Sequence, residues 1–260
     1  MKTRSFFVGL TLLAVLAVII SVDGCKKDDA TTNPGVTPIT DDLFPLTVGH
    51  QIKFSGYLRH QTADTNITAT GAVYYTTWFV ASNNAPTPVG GTANLIYDTT
   101  QVPTGIANPP TTKVITPLFI QRTSATGSGN FSFLQNIGRF YRTFGITRSD
   151  SLRWILIAKL DEGIGVEWTG FDSTWATAVG NVQLKIVGKF VGTESITVGG
   201  STFTAYKLTA VRRVSIGGAA QPESPTATFW LVKDVGPVKV IIDADGESYG
   251  HYREFKSKNF

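Results

Sequence analysis

The residues able to do chemistry are few and scattered. His50, His60 and His251 fall in separate segments with no second ligand at metal spacing, so a metal site would have to be assembled wholly by the fold, and none is assigned. Asp243, Asp245 and Glu247 offer closely spaced oxygens as a calcium loop does, but the remainder of such a loop is absent and Asp245-Gly246 reads more simply as a hairpin turn. Asp161 and Glu162, with Glu167 and Asp172, could serve glycoside hydrolysis if the fold set two of them at a working separation; solvated loop acids are the plainer reading. The chain has no Gly-x-Ser-x-Gly elbow, His-Glu-x-x-His, phosphate loop or Gly-x-Gly-x-x-Gly before a helix. No catalytic residue and no cofactor is therefore assigned, and the expectation is a protein that is not an enzyme.

Cys25 is the single cysteine, set directly after an apolar run and directly before Lys26-Lys27-Asp28-Asp29. It could be a core thiol, half of an intermolecular disulfide or an attachment point. Lys2 and Arg4 followed by the apolar stretch Phe6 to Val22 read as a signal peptide, and the stretch is short for the roughly 20 residues that span a bilayer, so a permanent membrane helix is the second choice. Removing Lys2, Arg4 and Asp23 with it lowers the formal charge from +4 to +3. That is too weak a bias for nucleic acid, and no Lys/Arg cluster suited to phosphates occurs. With Cys25 at the new N-terminus no thiol remains for a disulfide or a thiolate metal site, and stability must come from packing.

Val22-Asp23-Gly24-Cys25 resembles the lipobox of bacterial lipoproteins, with Asp23 departing from the usual small or apolar residue. Lys26 to Asp29 resembles the charged run that follows the cysteine in lipoproteins of the Bacteroidota type. The resemblance implies a diacylglycerol and an N-acyl chain such as palmitate on Cys25, and delivery to the outer membrane, at the cell surface. Several chains at about 0.8 kcal/mol per buried methylene anchor stably where one would be marginal. The membrane is then a partner through the lipid anchor alone. A secreted protein with a free thiol is the alternative.

The elements that must position any site are strands. Residues 26–42 are rich in charge, Thr, Pro and Gly, and read as a flexible tether behind the signal peptide at 1–24. From Leu43 to Phe260 short runs of Val, Ile, Thr, Tyr, Phe and Trp alternate with Gly, Asn, Pro and Asp clusters, the punctuation of one β-rich domain. Strands are expected at 51–60, 68–81, 92–97, 152–160, 182–191, 202–214, 226–233 and 237–243. Gly199-Gly200 reads as a two-residue hairpin turn. The Pro-containing stretches 85–88 and 101–110 read as exposed loops, and 131–144 favours strand over helix. Leu46 to Tyr57 and Leu160 to Phe171 match at equal spacing in apolar, glycine and aromatic places, which suggests similar halves near 43–150 and 151–260.

Leu43-Phe44-Pro45-Leu46-Thr47-Val48-Gly49, the Val198 to Tyr206 hairpin and Trp230 to Val238 together look like a widespread group of uncharacterised β-rich bacterial lipoproteins. What that resemblance implies is an architecture similar to LolA/LolB-like curved antiparallel sheets, with no catalytic residues to carry over. The fold expected is all-β, a large curved antiparallel sheet as half-barrel or sandwich, with little helix outside the signal peptide. Exposed Trp and Tyr faces on such a sheet could stack on sugar rings, although in a β core they more often fill space. Trp168, Phe171 and Trp175 are the candidate ligand-stacking residues. The function expected first is binding of a glycan or protein ligand, with a carrier of lipid or another hydrophobic ligand as alternative and a hydrolase third. A hollow interior would favour the carrier and a filled one would exclude it.

Overall fold

The computed structural model describes residues 37–60, 73–103, 111–123, 129–243 and 249–260. The signal peptide at 1–24, Cys25 and the first part of the tether lie outside the described residues. Thirteen strands form one antiparallel sheet: β1 (Gln51–His60), β2 (Tyr74–Pro86), β3 (Thr92–Pro103), β4 (Thr111–Arg122), β5 (Asn130–Asn136), β6 (Leu152–Lys159), β7 (Glu167–Thr177), β8 (Gly180–Val198), β9 (Ser201–Ile216), β10 (Ala219–Ala220), β11 (Ser224–Val232), β12 (Gly236–Ile242) and β13 (Tyr249–Lys258). Among the described residues one short α-helix, α1 (Gly138–Thr143), follows β5.

Twelve strands run in the order β6-β5-β4-β3-β2-β1-β13-β12-β11-β9-β8-β7, with β10 attached to β9. Read around the circle this is an up-and-down meander: β1 joins β13, and the two edges, β6 and β7, are neighbours in sequence. The edges also meet in space, where the Trp168 indole N–H donates to the Leu156 carbonyl at 3.4 Å. The large curved antiparallel sheet expected from the sequence is therefore a barrel nearly closed on itself, with a seam between β6 and β7. Register shifts in β1, β7, β8 and β11 supply bulges of the kind that bend strands and help a sheet curl.

Alternation decides the faces. In β2, Tyr74, Thr76, Trp78 and Val80 are buried while Tyr75 and Phe79 are exposed, the period of two that a half-buried strand requires. The Gly199-Gly200 turn takes positive φ at both residues, 57° and 79°, and joins β8 to β9 as the dipeptide implies. Pro117 stands within β4 opposite Tyr97, although proline is poor in central strands. The ladder from β4 to β5 starts only at Ile120, so at Pro117 one flank of β4 has no partner strand among the described residues.

Three expectations shift. The 131–144 stretch divides into β5 and α1, because the Asn136 side chain accepts from the Gly138 N–H at 2.8 Å and turns the chain out of the ladder. The loop expected at 85–88 begins later, since Ala85 and Pro86 still pair with Ala93 and Thr92; Gln101 to Pro103 likewise belong to β3, and 104–110 lie outside the described residues. The end of the tether is docked. Ile39 is 4% exposed and its N–H donates to Leu160 at 2.8 Å, Asp41 accepts from the Tyr206 hydroxyl at 2.8 Å, and the Asp42 carbonyl accepts from Asp234. Those partners stand at the end of β6, on β9 and in the β11–β12 turn, so residues 39–46 cross one mouth of the barrel. There Phe44 packs on Phe131 and Phe133, at 4.7 and 5.8 Å between ring centroids. Composition read residues 39–42 as solvated tether because their one buried anchor, Ile39, is outnumbered by Thr and Asp. Gly35–Phe260 forms one compact unit that holds the whole sheet and its core.

Candidate functional site

Inside the barrel, with Phe133 in its wall, lies a cavity of about 290 Å³. Its apolar wall comes from Leu118 on β4, Ile155 and Ile157 on β6, Leu184 and Ile186 on β8, and Phe229 on β11. Phe140 of α1 reaches the same space and packs against Trp175 at 5.7 Å, which ties the helix to the seam. The interior is thus neither filled throughout nor an open trough.

One side of the cavity is polar. Arg253 on β13 and Asp98 on β3 form an ion pair at 2.7 Å, with only 5% and 8% of their surfaces exposed. Burial opposes the charge on Arg253, but Asp98 and the Tyr74 hydroxyl outweigh it and hold the guanidinium above its ordinary pKa. Thr100 donates to Asp98 at 3.2 Å and shares a hydrogen bond with Thr76 at 3.1 Å, so the carboxylate is held from its own strand as well. Arg212 on β9 also lines the cavity, and burial draws its pKa below the usual guanidinium value. Asp243 lines it too and is bound by Arg59 at 2.9 Å.

Next to this group, Tyr74 and His251 Nδ1 share a hydrogen bond at 3.1 Å. Burial, and after it the charge of Arg253, pull His251 down to about 4 from 6.5. The native imidazole is then neutral between those values while the unfolded chain takes up a proton. Stability is complete above pH 6.5 and declines as pH falls towards 4. Between pH 7 and pH 4.5 the loss from this residue is about 2–3 kcal/mol, from roughly 1.4 kcal/mol per pKa unit. Urea unfolding at the two pH values should show it, and His251→Gln should remove most of the difference; an unchanged pH dependence in the variant would refute the assignment.

The candidate stacking residues are placed otherwise than expected. Trp168 is 5% and Trp175 8% exposed, and Phe171 is half-buried, so the three form no solvent-facing shelf. Trp168 lies over Gly188, where a Cβ would come within 2.6 Å of the indole, and against Phe190 at 5.5 Å. Trp175 packs with Phe140, Tyr141 and Phe171. They are together because they seal the seam, and their loop-like spacing is that of a bulged edge strand. Exposed aromatic surface occurs instead on the outer face of β2 and β3, where Phe79 and Tyr97 are register partners and Tyr75 stands nearby among Thr77, Thr99 and Gln101. Period-two alternation from Tyr74 to Val80 was the signal that could have found it.

Three of the four acids considered for hydrolysis are occupied. Glu167 accepts two hydrogen bonds from Arg213, which hold its carboxyl below the usual range, the opposite of what a general acid requires. Glu162 pairs with Lys159, and Asp172 accepts from Gln183 at 2.7 Å. His50 stacks on Phe260 at 3.9 Å, far in the chain from His251. Among the described residues no three His, Cys, Asp or Glu side chains are grouped to hold a metal ion; of the acidic cluster at 243–247, residues 245 and 247 lie outside the described residues.

The site is an internal, mostly apolar cavity with a charged wall in an up-and-down β-barrel. No protein-family model matches the chain, and no curated protein does. Among solved structures it is similar to a provisionally named lipoprotein of Parabacteroides distasonis, with 14% identity and a TM-score of 0.42, covering 85% of this chain and 100% of that one. It is similar also to a provisionally named exported protein with a YmcC-like fold from Bacteroides fragilis, with 13% identity and a TM-score of 0.41, again over 85% and 100% of the two chains. At this distance the likeness transfers nothing to this chain.

Proposed function

We propose that this protein is a lipid-anchored protein of the bacterial outer membrane, held at Cys25, whose barrel binds a small hydrophobic ligand in its interior. The observation that carries the reading is the cavity of about 290 Å³, just below the roughly 300–1,000 Å³ range common for small-molecule sites and walled mostly by aliphatic and aromatic side chains. It favours the hydrophobic-ligand alternative over binding at a Trp168 shelf. No catalytic role is assigned to any residue. The docked segment 39–46 leaves the tether from Cys25 to about residue 38, which confines the barrel to tens of ångströms from its anchor by coil estimates. That suits a local binder more than a carrier moving between membranes.

Two measurements on one preparation test the proposal. Membrane-fraction protein should begin at a Cys25 that carries a diacylglycerol and an N-acyl chain by intact mass, and its 35–260 unit should bind 1-decanol saturably with a change in tryptophan fluorescence, since Trp78 lines the cavity. Ala227→Phe, which puts a ring into the space, should abolish that binding without unfolding the protein. An unmodified Cys25 would remove the anchor, and non-saturable decanol partition would remove the interior site.

A second reading keeps the glycan. Tyr75, Phe79 and Tyr97 on the outer face offer exposed rings among polar neighbours, the arrangement that stacks on sugar faces.

A further inference from the structure

The outer face of β1 to β4 carries two adjoining grooves. One, of about 670 Å³, is lined by Phe79 and Tyr97 with Thr77, Thr99 and Gln101 between the strands' other side chains. The second, of about 400 Å³, shares Thr77, Thr99 and Gln101 with it and reaches Tyr75. Tyr75 and Phe79 lie four positions apart on β2, about 13 Å along the strand, and Tyr97 is the register partner of Phe79 on β3. The three rings are 54%, 37% and 40% exposed, in a run longer than a single sugar ring.

Charge narrows what this face can hold. Lys53 lines both grooves, Lys113 the first and Lys256 the second. Lys53 stands opposite Thr77 on the β1 side and Lys113 opposite Gln101 on the β4 side, so each flank carries a cation. Among the described residues none of these three lysines forms an ion pair. Asp98 is the only acid in β1 to β4, and it is buried inside the barrel against Arg253. On the neighbouring β13 the one acid, Glu254, accepts from the Tyr252 hydroxyl and lines neither groove. A lysine is a compact point charge on a flexible stem and reads the charge of a ligand more than its shape, so carboxylate and sulfate suit it alike.

Resting on the sugar-stacking reading of this face, we infer that the grooves take an acidic oligosaccharide. Its ring faces lie on Tyr75, Phe79 and Tyr97, and its carboxylate or sulfate groups lie beside Lys53, Lys113 and Lys256. The Thr and Gln side chains between them offer donors and acceptors to the sugar hydroxyls. A bilayer surface calls for an apolar face instead, and Ile115 is the one aliphatic side chain lining either groove among the described residues.

Calorimetric titration of the 35–260 unit at pH 7.5 tests this with tetragalacturonate, its neutral methyl ester and a chondroitin sulfate tetrasaccharide. Tetragalacturonate should bind about tenfold more tightly than its ester, the combined worth of two or three exposed charge contacts, and about 1 M salt should erase most of the gap. The sulfated sugar against tetragalacturonate shows which anionic group is preferred, and tighter binding than the ester by either supports the inference. Lys53→Gln with Lys113→Gln, both at exposed positions, should narrow the gap to about twofold and leave the ester unchanged. Phe79→Ala should weaken acid and ester alike by about fivefold. Equal affinity for acid and ester, or a gap that the lysine variant leaves intact, overturns the acidic-ligand inference and leaves the sugar reading standing. Failure of all three sugars to bind, or binding that Phe79→Ala leaves unchanged, overturns the sugar reading itself. Co-sedimentation with phosphatidylglycerol vesicles while no sugar binds would make the face a membrane contact and overturn both.

Discussion

Trp168→Ala is expected to lower the unfolding free energy by about 3–5 kcal/mol, the cost of removing a large buried aromatic side chain. The residue stands where the barrel is weakest. β6 and β7 form no ladder with each other among the described residues, and the indole bridges them by donating to Leu156 while filling the space that Gly188 leaves open. Removing it leaves a cavity and takes a donor from an edge carbonyl. Trp168→Phe keeps most of the volume and loses the donor, so it should cost less than half as much. Urea denaturation measures both, and hydrogen exchange should rise first in β6 and β7. A loss below about 0.5 kcal/mol for the alanine variant, the size usual at exposed positions, would mean that Trp168 is a surface residue after all.

Arg253→Met is expected to cost a similar 3–5 kcal/mol, because it strands the Asp98 carboxylate in the barrel without its counter-ion. The asymmetry of buried pairs makes the sharper test. Asp98→Leu combined with Arg253→Met removes both charges, and the double variant should recover most of the loss, since an apolar pair of similar volume can replace a buried ion pair at little cost. A double-mutant cycle reads the coupling directly. If the two single losses simply add, the pair is not the unit that stabilises this wall.

Several elements were legible without coordinates. The hairpin at Gly199-Gly200, the strands at 51–60 and 152–160 and the scarcity of helix follow from local chemistry: paired glycines reach positive φ, and β-branched and aromatic residues suit a pleated, half-buried surface. β4, β7 and β13 were less visible. β4 carries Pro117 and an exposed Val114-Ile115 pair, β7 is bulged at Gly170, and β13 alternates aromatic residues with charges of both signs. In each the period of two is blurred by a residue that only a neighbouring strand explains.

The candidate site shows the same division. Arg253 is a charged residue in a polar-looking strand, and nothing nearby in the chain marks it as buried. Its partner Asp98 is 155 positions away, brought next to it through the pairing of β1 with both β2 and β13. Trp168 and Trp175 are candidates for exposure only on their loop-like spacing in the sequence, and they become interior where the sheet curls far enough for its edges to meet. By itself the sequence determined the all-β class, the turn at Gly199-Gly200 and the lipobox-like motif at Cys25, each of which depends on residues within a few positions of one another. Only the tertiary structure decided that the sheet nearly closes, that residues 39–46 cross its mouth and that a cavity walled partly by the Arg253–Asp98 pair remains inside. Closure is the sum of twist and bulges over twelve strands, and that sum is a property of no single segment.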